Sequence, residues 1–187
     1  MFHRRTLLAS ALASSLPWPA WAQSSTGSAG KNSLTLGMAL EPPMLDPTVS
    51  AAAAIGEIVH YNLFETLTKI TPEGTVLPLL AQRWDVAPDS KTFTFHLRQD
   101  AQFHNGQPLT ADSVQFSFAR AASSTSTNKD KALFTQLKVT AKDRFTVVIE
   151  SAHTNPDLLF LLGQATAIIV EPQSAATNAT APVGTGP

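Results

Sequence analysis

The chain has 187 residues, enough for one ordinary domain with a core of its own, and a formal net charge of −1. With 43% hydrophobic and 14% charged residues it does not have the composition of a disordered chain, and its near-neutral balance carries no electrostatic footprint for nucleic acid. It contains no cysteine, which excludes a disulfide framework, a thiol nucleophile and a Cys-ligated zinc site.

Met1 to Ala22 reads as an export signal. His3-Arg4-Arg5 is a basic start, Leu7 to Leu16 a short apolar run, and Ala20-Trp21-Ala22 an A-x-A cleavage site that makes Gln23 the first mature residue. The apolar run is too short for a membrane span, which needs about 20 residues. Arg4-Arg5 admits the twin-arginine route as well as the general secretory one, although the Ser/Thr before the pair and the Lys after it are missing. Either route leads to the periplasm, or to the outer face of the membrane in a single-membrane cell. No Cys follows the signal, so a lipoprotein anchor is excluded.

Residues 23–33, with the Ser/Gly/Ala-rich stretch Ser24 to Lys31, form an expected disordered leader. Leu34 to Met38 predicts a first strand. Pro42, Pro43 and Pro47 hold the next segment extended. A helix is expected from about Ala51, with Ile55, Ile58, Val59 and Leu63 at helical spacing, ending by Glu65. Thr66 to Ile70 predicts a strand and Thr71-Pro72-Glu73-Gly74 a turn. Trp84-Asp85-Val86, a turn at Pro88-Asp89-Ser90 and a strand from Thr92 predict a hairpin, with Trp84 in the core rather than on a ligand platform.

In that strand Phe93, Phe95 and Leu97 alternate with Thr94, His96 and Arg98, so one face is apolar and the other wet. The turn Asn105-Gly106-Gln107-Pro108 follows. Thr110 stands at a helix N-cap position, and Asp112 in the first turn suits the positive end of the helix dipole. Val114, Phe116, Phe118 and Ala119 supply apolar surface. Ala121 to Asn128 reads as a polar surface loop and Ala132 to Lys138 as a short helix or turn. Val139–Ala141 and Phe145–Ile149 predict a second hairpin. Pro156 to Gly163 is expected as a largely buried short helix, and Ile168-Ile169-Val170 as a buried strand.

Taken as a string, Phe93-Thr94-Phe95-His96-Leu97-Arg98 followed by Phe103-His104-Asn105-Gly106-Gln107-Pro108-Leu109-Thr110-Ala111-Asp112-Ser113-Val114-Gln115-Phe116-Ser117 closely resembles the signature of the family 5 extracellular solute-binding proteins. These serve ATP-binding-cassette importers, and the dipeptide-, oligopeptide- and nickel-binding proteins belong to them. Gln99-Asp100 departs from the Lys/Arg-Gly pair common in that turn. The run Val76 to Trp84, the segment Leu45-Asp46-Pro47, and Pro182-Val183-Gly184-Thr185-Gly186-Pro187 resemble further family motifs.

The resemblance implies an α+β, periplasmic-binding-protein-like fold of the class II type, with a mixed, mostly antiparallel sheet and packed helices, of which this chain would be the N-terminal part. Residues 34–47 would start the main lobe, residues 48–172 form an inserted subdomain, and residues 173–187 return toward the main lobe. By position in the family, Ser50, Ala51, Ala52, Ala53, Ala54 and Ile55 would face the ligand cleft. Their chemistry identifies no ligand; peptides are the family's commonest substrate, with nickel complexes, opines and sugars open. The implied protein is a monomer that captures a small solute or peptide and delivers it to a membrane permease, without a cofactor.

The residues themselves offer no catalytic motif. The five histidines form no H-x-x-x-H pair, His96 and His104 read as surface or capping residues rather than metal ligands, and neither a G-x-S-x-G elbow nor a Walker loop occurs. Two alternatives stay open: a secreted hydrolase with its active residues beyond Pro187, and a non-transport ligand sensor on the same fold.

Overall fold

Residues 35–187 are described by the computed structural model; the expected export signal and leader lie outside the described residues. In chain order the elements are α1 (Ala53–Val59), β1 (Thr68–Ile70), β2 (Val76–Pro78), β3 (Ala81–Val86), β4 (Thr92–Leu97), α2 (Ala111–Ala122), α3 (Lys131–Thr135), β5 (Leu137–Asp143), β6 (Thr146–Ser151) and α4 (Leu158–Leu161). All belong to one unit, Met38–Pro187.

The alternation in Thr92–Leu97 sets the layer order. Phe93, Phe95 and Leu97 are buried while Thr92, Thr94 and His96 stay half-buried on the other face. This strand is internal in a four-stranded antiparallel sheet of order β3-β4-β6-β5, with Phe95 opposite Trp84 on one side and Val147 on the other. Both sequence-predicted hairpins, β3-β4 and β5-β6, are formed. The apolar face is covered by Val114, Phe118 and Ala121 of α2, Phe134 of α3, and Leu158 and Leu162 at α4. Phe118 and Phe134 meet as a tilted aromatic pair with centroids 5.1 Å apart. Trp84 is only half-buried; it packs at the edge of this core, 6.4 Å from Phe95. The fold is therefore α+β, helices on one face of an antiparallel sheet. β1 and β2 form a separate small hairpin, closed by a turn in which Gly74 takes φ +82°.

Several local expectations are corrected. No strand forms at Thr35–Met38: none of the described residues pairs with it, and a strand needs a hydrogen-bonded neighbour. The first helix spans only seven residues, because His60 is extended (φ −71°, ψ 122°) and Tyr61 takes φ +61°. Thr110 does occupy the α2 N-cap with extended backbone, but its hydroxyl makes no capping bond. The Ala121–Asn128 stretch is not a simple surface loop. Its first two residues finish α2, and Ser126 and Asn128 are buried. The Asn128 side-chain amide donates to the Thr166 carbonyl at 2.8 Å, and the Thr127 N–H to the Thr48 carbonyl at 3.0 Å.

Ile168–Val170 is buried as expected but is not a strand. Its backbone is satisfied singly. The Ile169 N–H donates to the Glu65 carbonyl at 2.9 Å, and the Val170 N–H to the hydroxyl of Ser117 on α2 at 3.0 Å. Ile168 and Val170, with Ile55, Val59, Phe64 and Ala175, form a second core cluster, while Ile169 between them belongs to the first. It is this cluster, joined by Leu45, Ile58 and Phe116, that seats α1 on the rest of the unit.

His104 of the Phe-His-x-Gly motif clamps the closing segment. Its backbone N–H donates to the Gly184 carbonyl at 2.9 Å, and its ring Nδ1 accepts the Gly184 N–H at 3.3 Å. An acceptor Nδ1 leaves the ring proton on Nε2, which donates to the Gly186 carbonyl at 3.0 Å. From the other side, the Gly186 N–H donates to the Leu63 carbonyl at 3.1 Å. A Cβ at Gly184 would stand 1.9 Å from the Leu63 oxygen, and one at Gly186 2.4 Å from the Asn62 oxygen. Both glycines are thus required by backbone-to-backbone approach, which joins the Phe-His-x-Gly and Pro-Val-Gly-Thr-Gly-Pro motifs physically.

Candidate binding site

The segment entering α1 is held by one buried charge pair. Asp46 is 1% exposed; its Oδ1 accepts the Thr48 N–H at 2.9 Å, and its two oxygens accept both terminal nitrogens of Arg120 at 3.1 and 2.6 Å. Fork geometry of this kind fixes direction as well as distance. The Leu45 N–H adds a bond to the Ala179 carbonyl at 2.9 Å. The chain therefore turns at residues 47–49, with the Val49 and Ser50 N–H groups donating to the Asp46 carbonyl, and runs through residues 50–52 without regular structure before the helix starts.

A cavity of about 350 Å³ opens beside this crossing. Pro47 and Ser50–Ala53 form one side. α1 contributes Gly56 and Glu57 from its next turn, since positions three and four apart share a helix face, and His60 follows at its C-cap. Across the cavity stand Lys129, Ala165 and Thr166. Gly56 lets α1 come close to this wall: a Cβ there would lie 3.2 Å from the Ala165 Cβ. The opposite wall is internally braced, since the Thr166 hydroxyl donates to Asp130 Oδ2 at 2.5 Å and its carbonyl accepts from Asn128.

Of the six residues expected at a ligand cleft, Ser50, Ala51, Ala52 and Ala53 line this cavity. Ala54 (3% exposed) and Ile55 (0%) do not; the helical phase turns them inward, and Ile55 joins the second core cluster. Sequence reading missed Glu57, His60, Lys129 and Thr166. Glu57 and His60 could have been found by extending the helical face beyond Gly56. Lys129 and Thr166 come from segments more than 70 residues further on, and only the tertiary fold brings them here.

His60 is the unusual group of the cavity wall. Its ring stacks on Tyr61 with centroids 3.7 Å apart, and its buried Nε2 has no hydrogen-bond partner among the described residues. Burial pushes its pKa below the ordinary imidazole value, with the Gly163 carbonyl acting weakly in the opposite sense. The ring is therefore neutral near pH 7. Tyr61 sits in the left-handed region, a costly conformation for a bulky residue, on the order of 1–3 kcal/mol. It is held there by three bonds. Its N–H donates to the Phe64 carbonyl at 2.8 Å, its hydroxyl donates to the Gly163 carbonyl at 2.8 Å, and the hydroxyl accepts the Ile70 N–H at 3.0 Å.

Glu57 and Lys129 are both exposed, and neither enters an ion pair or side-chain hydrogen bond among the described residues. Chemically the cavity offers a small-residue apolar lining, one free carboxylate, one free ammonium and one neutral imidazole. Among the described residues that line it, no nucleophile stands hydrogen-bonded to a base.

Residues 75–187 match the family model described as bacterial extracellular solute-binding proteins, family 5 Middle. The periplasmic oligopeptide-binding protein OppA of Haemophilus influenzae is 36% identical over 90 residues, covering 48% of this chain and 16% of its own. The probable D,D-dipeptide-binding periplasmic protein DdpA of Escherichia coli K12 is 30% identical over 174 residues, covering 90% of this chain and 32% of its own. Among solved structures, that of the binding protein AgaA from A. tumefaciens R10 in complex with agropinic acid superposes with a TM-score of 0.72 at 28% identity, over 79% of this chain and 30% of that one. The chain thus spans at most about a third of the length of these relatives. The match over residues 75–187, more than half of the chain, places this protein among the family 5 bacterial extracellular solute-binding proteins.

Proposed function

We propose that this chain is part of the solute-capturing component of an ATP-binding-cassette importer, and that the cavity beside α1 forms one face of its ligand site. The observation that carries the reading is that Ser50–Ala53, the crossing expected at a ligand cleft, borders a cavity whose polar groups Glu57, Lys129 and His60 Nε2 have no side-chain partner among the described residues, in a chain of this family. The relatives are named as binding proteins for oligopeptides and D,D-dipeptides, which favours a peptide or similar small solute over an enzymatic role. Residues 34–47 then begin the main lobe, residues 48–172 form the inserted subdomain and residues 173–187 lead back. The protein is exported to the periplasm, acts as a monomer and hands its solute to a membrane permease. Lobe closure around a solute buries it and supplies the affinity.

The test is a steric plug. Ala53 is exposed and lines the cavity, so Ala53→Phe fills the cavity without entering the core. In the exporting cell, uptake of a labelled dipeptide should fall about tenfold or more in the plugged strain, while the amount of protein stays constant; losing contacts worth about 1.4 kcal/mol gives that factor. Uptake of labelled dipeptides equal to that of the unmodified strain would refute the reading.

A further inference from the structure

His60 and Tyr61, where α1 ends, bring two costly features together at the edge of the cavity. The His60 ring lies on the Tyr61 ring with centroids 3.7 Å apart, and its buried Nε2 has no hydrogen-bond partner among the described residues. Such a nitrogen is tolerable in a neutral ring and far more costly in a charged one. Tyr61 is held in left-handed backbone at φ +61°, which a bulky residue keeps only while its surroundings enforce it. One enforcing bond runs from the Tyr61 hydroxyl to the Gly163 carbonyl at 2.8 Å, and the same carbonyl also acts on the His60 ring. The Lys69 ammonium stands 5.4 Å from the centre of the Tyr61 ring. A charged imidazole here would be a second cation at one aromatic ring and a second donor at one carbonyl.

We propose that His60 and Tyr61 form a proton-operated latch on the cavity wall: with His60 neutral the stacked pair holds the wall, and with His60 protonated the ring leaves the stack and releases Tyr61. The latch concerns the shape of the cavity and stands whatever solute the cavity takes. Its direction follows from the site. Burial holds the imidazole below its ordinary pKa, and the Gly163 carbonyl opposes this weakly. The closed pair is therefore at full strength above the pKa of a solvated imidazole, and loses that strength as pH falls toward the lower value of the closed state. The charged groups around it act in both senses. Glu57, three residues earlier on α1, favours the proton; Lys129 on the cavity lining and Lys69 on β1 oppose it; Asp130 sits behind the wall, engaged by the Thr166 hydroxyl. A ring that turns toward the cavity exchanges an unpartnered position for solvent and the lining that carries Glu57. Because the Tyr61 N–H donates to the Phe64 carbonyl and its hydroxyl accepts the Ile70 N–H, release moves the end of α1 and the β1 strand while the four-stranded sheet stays in place.

Tyr61 is the only tyrosine of the protein, so its ring signals are identified at once, and those of His60 by their loss in His60→Gln. The experiment follows NMR spectra of the protein from about pH 8 to about pH 5, the range in which histidine changes charge. His60 should titrate with a midpoint below about 6.5, the value of a solvated imidazole. The Tyr61 ring and the Ile70 amide, which donates to its hydroxyl, should move with that same midpoint, while the Phe95 amide in β4 stays fixed. In His60→Gln the Tyr61 and Ile70 signals should hold their neutral-pH positions throughout. Glu57→Gln should lower the His60 midpoint by about 0.2–0.7 pH units, the worth of one exposed ion pair, and leave the coupling to Tyr61 intact. A Tyr61 ring that stays still while His60 titrates, movement that persists in His60→Gln, or a His60 still neutral at about pH 5 would each overturn the latch. So would a Phe95 amide that moves with the same midpoint, since the event would then be unfolding of the whole unit.

Discussion

Replacing Gly184 with alanine tests the joint between the two most recognisable motifs of this chain. The added Cβ would stand 1.9 Å from the Leu63 carbonyl oxygen and 2.8 Å from Phe64 Cδ1. The first of these is backbone, so no side-chain rotation relieves it, and the segment has to lift by more than an ångström. Lifting breaks the two bonds between His104 and Gly184, the His104 Nε2 bond to the Gly186 carbonyl, and the Gly186 N–H bond to Leu63. At a net of about 0.5–1.5 kcal/mol each, reduced because the His104 ring is partly exposed, the loss is about 2–4 kcal/mol. Each 1.4 kcal/mol is a factor of ten, so hydrogen-exchange protection of the Gly186 amide should fall by about two orders of magnitude. His104→Ala removes only the ring's two bonds and should lower protection by less. If Gly184→Ala left the Gly186 amide as protected as before, the close approach to Leu63 would not be what holds this segment.

Two further outcomes are expected. Asp46→Asn should destabilise the unit by about 3 kcal/mol in chemical denaturation, because it leaves the Arg120 guanidinium buried without its counter-charge; a loss under about 1 kcal/mol would mean that the pair is not what anchors the entry to α1. Glu171 should give an acid-side stability dependence. Burial alone would raise its carboxyl, but the N–H groups of Gln173 at 3.0 Å and Ser174 at 2.7 Å, with help from the Ser174 and Asn105 side chains, pull it below its ordinary value. A depressed carboxylate contributes stability above its unfolded pKa and loses it as pH falls through the folded one. Wild type should therefore exceed Glu171→Gln in stability at neutral pH, and the gap should close in acid; a gap independent of pH would remove the carboxylate from the account.

The alternation of Phe93, Phe95 and Leu97 was enough to place β4 and its buried face, and local turn signals were enough for the β3-β4 and β5-β6 hairpins; that β6 lies beside β4 was decided by the tertiary structure. The motif strings around His104 and Gly184 were enough to name the family, and Ser50–Ala53 to point at the cavity. What the sequence could not supply has a common physical cause, which is dependence on partners distant in the chain. Ile168–Val170 looks like a strand by composition, yet its N–H groups go to Glu65 and Ser117, so no ladder forms. Ser126 and Asn128 look like surface residues and are buried, because Asn128 bonds Thr166. α1 stops at Val59 because Tyr61 is held in left-handed backbone by Gly163 and Ile70, both far from it in sequence or on another element. The same holds at the cavity. Position in the resembled family singled out Ser50–Ile55, of which Ser50–Ala53 line the cavity. Only tertiary packing, which brings Lys129, Ala165 and Thr166 to the cavity beside α1, decided that its alanines share a wall with a carboxylate, an ammonium and an imidazole nitrogen that have no partner among the described residues.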